Sequence, residues 1–125
     1  MTETMKQEGM VAGLYQYKGR VVRVVDGDTM DAELDLGFGI KMTQRFRVDS
    51  FDAPETWRPR NDLEKEHGEK ATKRAIELLM DQDLLFRTSK VPGIYGRYGA
   101  IIWLPDGRNF ATVMISEGFQ KLESY

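Results

Sequence analysis

Carboxylates and arginines gather in three short motifs of this sequence, and both residue types can bind ions. The first motif, D-G-D-T, occupies residues 26–29. Two carboxylates at a tight turn can both face one hard cation, which prefers oxygen ligands. Asp-Gly pairs are also common in ordinary turns. Taken alone, this motif favours a solvated β-turn over a cation site.

The second motif, R-V-D-S-F-D-A-P-E-T, occupies residues 47–56. Pro54 restricts Ala53 to an extended conformation. Asp52, the Ala53 carbonyl and Glu55 therefore project from a stiff segment. The motif also fits a strand that ends at a proline and carries surface acids, so alone it leaves both interpretations open.

The third motif, Y-G-R-Y-G, occupies residues 95–99. Glycines beside Arg97 allow the backbone to approach a ligand closely. The arginine side chain can bind phosphate through two parallel hydrogen bonds. Alone, the motif is more typical of a glycine-rich hairpin with a solvated arginine.

β-branched and aromatic residues predict a first strand, and apolar residues with a period of two predict the next two; these three strands would position the first two motifs. The predicted strands are residues 14–25, 30–36 and 40–48. The third carries Arg45 and Arg47 on the face opposite Phe46 and Val48, because successive side chains alternate across a strand.

The second half of the chain is predicted to contain two helices and two strands. Apolar residues at helical spacing, after Asn61 or Asp62 as a cap, predict a helix over about residues 61–82. The remaining predicted elements are strands at 84–88 and 100–104, a short helix that stops at Gly118, and an extended piece at 119–122.

Three strands, a helix, two strands and a helix are the element order of a five-stranded OB barrel. We therefore predict a mainly β protein with helices (α+β), built on an OB-fold barrel with two helices. The 125 residues provide for one domain. We assign residues 1–13 to a flexible N-terminal tail and residues 14–125 to the single domain.

Composition excludes several classes of protein. The chain has no cysteine, which excludes disulfides and thiolate metal sites, and its net charge of −2 argues against a tight, processive DNA binder. No apolar run approaches the roughly 20 residues that span a membrane, so no membrane partner is expected. Residues 1–10 lack the pattern of a secretory signal. This favours the cytoplasm, and secretion would require a leader that had been removed.

The ordered coincidence of the motifs resembles the staphylococcal nuclease (thermonuclease) family. That family shows D-G-D-T, an Arg five residues before the Asp of D-x-P-E, a helix, Tyr-Gly-Arg, and a short helix that ends near a Gly-Leu-x-Lys-like stretch. Here the last stretch is residues 117–121, and the resemblance covers residues 19–122. It implies an SNase-like OB-fold nuclease domain.

The resemblance implies one bound Ca²⁺. Asp28 and Asp52 would ligate it through their carboxylates, and Ala53 would ligate it through its backbone carbonyl. Asp26 and Thr29 would lie in the outer shell.

The resemblance also implies the groups that act on the substrate. Glu55 would orient or deprotonate the attacking water, and Arg47 and Arg97 would contact the scissile phosphate. Positive charge fixed beside a phosphodiester is suited to stabilising the charge that develops in hydrolysis. Three further residues are predicted to contact the substrate: Tyr95, Arg45 and Tyr125.

The predicted activity is calcium-dependent, endonucleolytic hydrolysis of DNA or RNA by a monomer, leaving 3′-phosphate products. Ile94 stands where family members often carry a lysine, which predicts weaker phosphate anchoring. His67, the single histidine, is expected on the solvated surface of the helix.

An alternative is a catalytically silent OB-fold module that binds nucleic acid or protein. A two-carboxylate glycosidase is disfavoured because a neutral sugar offers the arginines no partner.

Overall fold

Five β-strands close into a barrel in the computed structural model, which describes residues 13–91, 94 and 96–125. The strands are β1 (Gln16–Asp26), β2 (Thr29–Gly37), β3 (Ile40–Val48), β4 (Leu84–Lys90) and β5 (Tyr98–Trp103). Helix α1 (Asp62–Leu79) lies between β3 and β4 in the chain, and α2 (Phe110–Ser116) follows β5. The predicted α+β barrel of the OB type is confirmed. Of the predicted tail, only Gly13 belongs to the described residues.

The strand order around the barrel is β1-β2-β3-β5-β4. β1 pairs with β2, and β2 with β3, in two antiparallel hairpins. β3 pairs in parallel with β5. β4 is antiparallel to both β5 and β1, which closes the barrel. The parallel pair sets Arg47, at the start of the second motif, beside Gly99, at the end of the third.

The barrel interior is filled by apolar side chains that alternate along the strands. Met30 and Ala32 of β2, Phe46 of β3, Phe86 of β4 and Ile102 of β5 are all at most 2% exposed. The neighbouring positions on β2 and β3 carry charged residues on the outer face. This alternation fixes which side chains of β3 can face a ligand.

Helix α1 supports the loop that follows β3. Its N-cap residue, Asn61, accepts a hydrogen bond from the Glu64 N–H through its side chain. A Cβ at Gly68 would lie 2.7 Å from the Pro54 carbonyl oxygen. The helix can therefore approach this backbone only with glycine at that position.

Some predicted boundaries differ from the observed ones. β4 extends two residues further than predicted, to Lys90, and β5 begins two residues earlier, at Tyr98. Tyr98 pairs with Lys90 on one side and with Phe46 on the other, so tertiary pairing extends both strands. α1 ends at Leu79 rather than near residue 82, before Asp81 at a φ of 60°.

The predicted extended piece at residues 119–122 is wrong. This segment is irregular, and it is bound to the rest of the domain mainly through side chains. Across the described part of the chain, no helix has the length and apolarity needed to cross a membrane.

Candidate active site

The first two motifs meet at one end of the barrel. The Val48 N–H donates a 2.8 Å hydrogen bond to the Asp28 carbonyl, which joins the β1–β2 turn to the end of β3. In the β2–β3 ladder, Thr29 is directly opposite Arg47. The register of two hairpins thus brings residues 26–29 beside residues 47–55.

Asp28 is held in a fixed orientation by both of its carboxylate oxygens. Oδ1 accepts a 2.9 Å hydrogen bond from the Thr29 hydroxyl, and Oδ2 accepts one of 2.9 Å from the Ala53 N–H. The residue is only 8% exposed. Because a carboxylate oxygen has two lone pairs, each oxygen retains acceptor capacity for a further ligand.

Arg47 links Asp28 to Asp52. Its Nη2 lies 3.7 Å from Asp28 Oδ2 and donates a hydrogen bond to Asp52 Oδ1. The Asp52 carboxylate is well exposed, whereas that of Asp28 is mostly buried. The two predicted ligands therefore converge on one positively charged nitrogen, at the rim of the barrel.

Asp26 supports the same turn from within the chain. Its Oδ1 accepts a 3.1 Å hydrogen bond from the Asp28 N–H. Burial, followed by the adjacent Asp28 carboxyl, raises the pKa of Asp26 to about 7. Asp26 and Asp28 are thus a closely packed pair of acids within one turn.

The oxygen atoms of Asp28 and Asp52 suit a hard cation that also takes ligands from the backbone and from water. Asp28 and Asp52 supply carboxylate oxygens, which Ca²⁺ and Mg²⁺ prefer. Within the described residues, no group of three or more acidic, histidine or cysteine side chains is arranged to hold a metal ion. The Arg47 guanidinium lies between the two acids. Asp28 and Asp52 thus have the chemistry that a hard cation prefers, and both lie near one arginine nitrogen.

Glu55 lies on the exposed side of the same loop. Its carboxylate makes no hydrogen bond or ion pair to the described residues, so it is available to a water or a substrate. Its backbone N–H lies 3.5 Å from Oε2 of Glu64 in α1. The loop that carries Glu55 is thereby attached to the first turn of the helix.

Arg97 lies just before β5. The parallel register pairs Gly99 with Arg47, and Arg97 is two residues before Gly99 in the chain. Arg97 is exposed, and its guanidinium has no partner in the described part of the chain. Tyr95, the predicted substrate contact two residues earlier, lies outside the described residues.

Arg45 shares this outer face but is already paired. Its Nε and Nη2 bind the two carboxylate oxygens of Asp31 at 2.8 and 3.2 Å. Hydrogen bonding by Arg45 lowers the pKa of Asp31. The structure thus places Arg45 near the predicted phosphate contacts, with part of its hydrogen-bonding capacity in use.

A cavity of about 500 Å³ opens beside Arg47 of the second motif and Gly99 of the third. Arg47 and Asp52 line one part of it, and Ser89 and Lys90 of β4 line another. Lys90 is exposed, and its ammonium makes no ion pair with the described residues. The cavity connects Asp52 to a basic side chain on β4.

Residues 45–125 match the family model described as staphylococcal nuclease homologue. This is more than half of the chain, and it contains Arg47, Asp52, Glu55 and Arg97. The chain belongs to the staphylococcal nuclease homologue family. No curated protein matches the chain. Membership indicates a nuclease-type domain on a fold that commonly binds nucleic acid.

The D-G-D-T motif precedes the part of the chain matched by the staphylococcal nuclease homologue model. The structure joins it to that part through the Ala53 N–H, the Val48 N–H and Arg47. The full predicted cation site therefore combines one residue outside the matched range, Asp28, with residues inside it.

Tyr125 and His67 form a cluster on the surface of α1. The His67 Nδ1 lies 2.7 Å from the Tyr125 hydroxyl, and its Nε2–H donates a 2.8 Å hydrogen bond to the Gly118 carbonyl. The expectation that His67 is solvated is wrong, since both ring nitrogens have protein partners. Tyr125 is half-buried, with the Arg60 guanidinium 4.8 Å from its ring centre. Its predicted substrate contact stays a prediction.

Glu64 is a site-supporting residue that the sequence reasoning missed. It is fully buried, and its carboxylate accepts hydrogen bonds from the Arg60 N–H at 2.8 Å and the Arg60 side chain at 3.2 Å. The pKa of Glu64 is lowered to about 2, and the hydrogen bond from the Arg60 N–H is the largest cause. Asn61 and Glu64 have the spacing of a capping box, and Arg60 and Glu64 that of an i,i+4 ion pair. Both signals were present in the sequence.

Proposed function

We propose that this domain is a calcium-dependent nuclease that hydrolyses phosphodiester bonds of DNA or RNA within the chain and leaves 3′-phosphate ends. The observation that carries the proposal is the convergence of the Asp28 and Asp52 carboxylates on Arg47 Nη2. Membership of the staphylococcal nuclease homologue family supports the nuclease chemistry.

Asp28, Asp52 and the Ala53 carbonyl would hold the Ca²⁺ ion. When bound, the ion would supply positive charge that stabilises the extra negative charge on the phosphoryl oxygens in the transition state. Thr29 and the Ala53 N–H orient Asp28 before any ligand arrives. Asp26 holds the turn through the Asp28 N–H. This preorganisation reduces the rearrangement that binding requires.

Arg47 and Arg97 would bind the scissile phosphate from the outer face of the sheet. Only Nη2 of Arg47 contacts Asp28 and Asp52, so within the described structure its Nε and Nη1 donors are free for phosphate oxygens. Among the same residues, the Arg97 guanidinium has no partner. Arg45, Tyr95 and Tyr125 would provide weaker contacts to the rest of the nucleotide.

Glu55 would orient the attacking water and accept its proton. Water attacks phosphorus in line, the bond between phosphorus and the 5′ oxygen breaks, and the departing 5′ oxygen takes a proton from solvent water. The products are a 3′-phosphate and a 5′-hydroxyl. The exposed Glu55 carboxylate suits this task, because it can reach water without breaking a contact to the described residues.

Cleavage of a labelled single-stranded DNA with Ca²⁺, and again with a chelator, tests the activity. We expect cleavage only with Ca²⁺, and Arg47→Ala, Arg97→Ala and Glu55→Gln should each lower the rate by about 10²–10³-fold. Arg20→Ala and Glu77→Gln are matched controls on other faces of the domain and should cleave like the wild type. Intact substrate in both conditions would refute the proposed nuclease activity. Tight binding without cleavage would favour a silent OB-fold module.

A further inference from the structure

The segment after α2 reaches back to the candidate active site. We refer to residues 117–125 as the strap. Its residue Gln120 accepts a 3.2 Å hydrogen bond from the Asp52 N–H through Oε1. The next residue, Lys121, donates its backbone N–H to the Asp52 carbonyl at 2.8 Å. Both backbone polar groups of Asp52 are therefore bound by consecutive residues of the strap.

These two bonds act on a residue whose side chain is otherwise loosely held. The Asp52 carboxylate is 60% exposed, and its one contact in the described structure is Arg47. The backbone of a residue sets the direction in which its side chain leaves the chain. Binding the Asp52 N–H and carbonyl therefore determines whether its carboxylate converges with that of Asp28.

The strap also contacts Glu64, which supports the loop that carries Glu55. Lys121 Nζ lies 3.6 Å from Glu64 Oε2, the same oxygen that lies 3.5 Å from the Glu55 N–H. Glu64 is completely buried. One segment thus contacts the backbone of Asp52 directly and that of Glu55 through Glu64.

The strap has attachments that do not depend on Gln120. Arg60 donates to the carbonyls of Leu122 and Glu123 at 2.7 and 2.6 Å. The Gly118 carbonyl accepts from His67, as described above. Because these bonds and Lys121 remain when the Gln120 side chain is changed, a substitution there tests the bond to Asp52 and leaves the strap in place.

We propose that Gln120 is a positioning residue that fixes Asp52 for cation binding and catalysis. The proposal rests on the proposed function, since it assigns Gln120 a task only in a site where Asp52 is a ligand. Groups that orient metal ligands from behind typically change cation affinity or activity by about 10–100-fold when they are replaced. A glutamine carbonyl oxygen, which cannot itself donate a proton, is suited to this purely orienting task.

The test compares three variants with the wild type. Gln120→Leu preserves the approximate volume and removes the acceptor. Gln120→Glu keeps an oxygen at the same reach and should restore function. Ser124→Ala is the control within the strap, because its side chain makes no hydrogen bond to the described residues.

The first measurement is hydrogen exchange of the Asp52 amide by NMR without any metal. In Gln120→Leu we expect exchange at least about 10-fold faster at Asp52, with the amides of α1 unchanged. Calorimetry with Ca²⁺ alone should then show about 10–100-fold weaker binding. In the nuclease assay kcat should fall by a similar factor with KM for DNA nearly unchanged, whereas a purely structural defect would lower the melting temperature and affect α1.

Unchanged exchange at Asp52 in Gln120→Leu, or unchanged Ca²⁺ affinity, would overturn the proposal. If Gln120→Leu does not fold, Gln120→Asn, which draws the oxygen back by one carbon–carbon bond, is measured in the same way. Faster Asp52 exchange and weaker Ca²⁺ binding in a protein that cleaves no nucleic acid would support the positioning role while removing the nuclease. If the wild type cleaves nucleic acid and Gln120→Leu shows unchanged Asp52 exchange and Ca²⁺ affinity, the nuclease is supported and the positioning role is refuted.

Discussion

The Ala53 N–H donates a 2.9 Å hydrogen bond to Oδ2 of Asp28, across 25 positions of the sequence. Ala53 is buried, and Asp28 nearly so. This single bond connects the turn between the first two strands to the loop that carries Asp52 and Glu55. It explains how a short acidic turn and a proline-containing loop form one site.

Asp28→Ala should destabilise the domain even without metal, because it leaves the buried Ala53 N–H without an acceptor. The expected cost is about 1–3 kcal/mol in the free energy of unfolding. Asp28→Asn keeps one carbonyl oxygen and should cost less. Urea denaturation in the presence of a chelator measures both, with Asp83→Asn as an exposed control. Equal stability of wild type and Asp28→Ala would contradict the assigned role of this bond.

Gly68→Ala should lower both stability and activity, although alanine is the better helix former by roughly 1 kcal/mol. The added Cβ would lie 2.7 Å from the Pro54 carbonyl oxygen and 2.8 Å from the Thr56 Cγ2, so the loop that carries Glu55 would have to move. Thermal melting and kcat measure the two effects. Glu69→Ala, on the exposed face of the same helix, is the control. A more stable and fully active Gly68→Ala would show that the loop adjusts without consequence.

Stability at acid pH should depend on Glu64. Its pKa in the folded protein is lowered to about 2, from an ordinary value of 4.5, mainly by hydrogen bonds from Arg60. A lowered folded pKa stabilises the fold above the unfolded pKa, and that contribution is lost as pH falls from about 4.5 toward 2. Unfolding free energies measured from pH 6 to pH 2.5 should therefore fall more steeply in wild type than in Glu64→Gln. Parallel curves would argue against this account, and Glu69→Gln is the control.

Arg97→Ala should separate activity from stability. The Arg97 guanidinium has no partner among the described residues, so its removal should change the free energy of unfolding by less than about 0.5 kcal/mol. Cleavage should nevertheless fall by about 10²–10³-fold, because a group that stabilises transition-state charge is lost. The measurements are urea denaturation and kcat/KM on single-stranded DNA. A large loss of stability would instead assign Arg97 a structural role.

The barrel could be predicted because β2 and β3 alternate between apolar and polar residues, β1 is rich in β-branched residues, and the turns contain glycine. The hairpins of β1, β2 and β3 follow from local pattern, and so does the placement of Arg45 and Arg47 on one face. The early start of β5 at Tyr98 could not be predicted locally, since it depends on pairing with β3, which lies 52 positions earlier in the chain.

The supporting residues of the site were harder to predict than its acids and arginines. Gln120 contacts Asp52 across 68 positions, and a lone glutamine in an irregular segment carries no sequence signal for such a bond. His67 gave the appearance of a surface residue because its partners, Gly118 and Tyr125, come from the distant strap. Long-range contacts of this kind depend on the folded topology.

A crystal structure of the domain with Ca²⁺ and a nucleoside 3′,5′-bisphosphate tests the central claim most directly. We predict one ion bound by the carboxylates of Asp28 and Asp52 at about 2.3–2.6 Å. Arg47 and Arg97 should both contact the same phosphate. An ion bound elsewhere, or a phosphate that neither arginine reaches, would contradict the account.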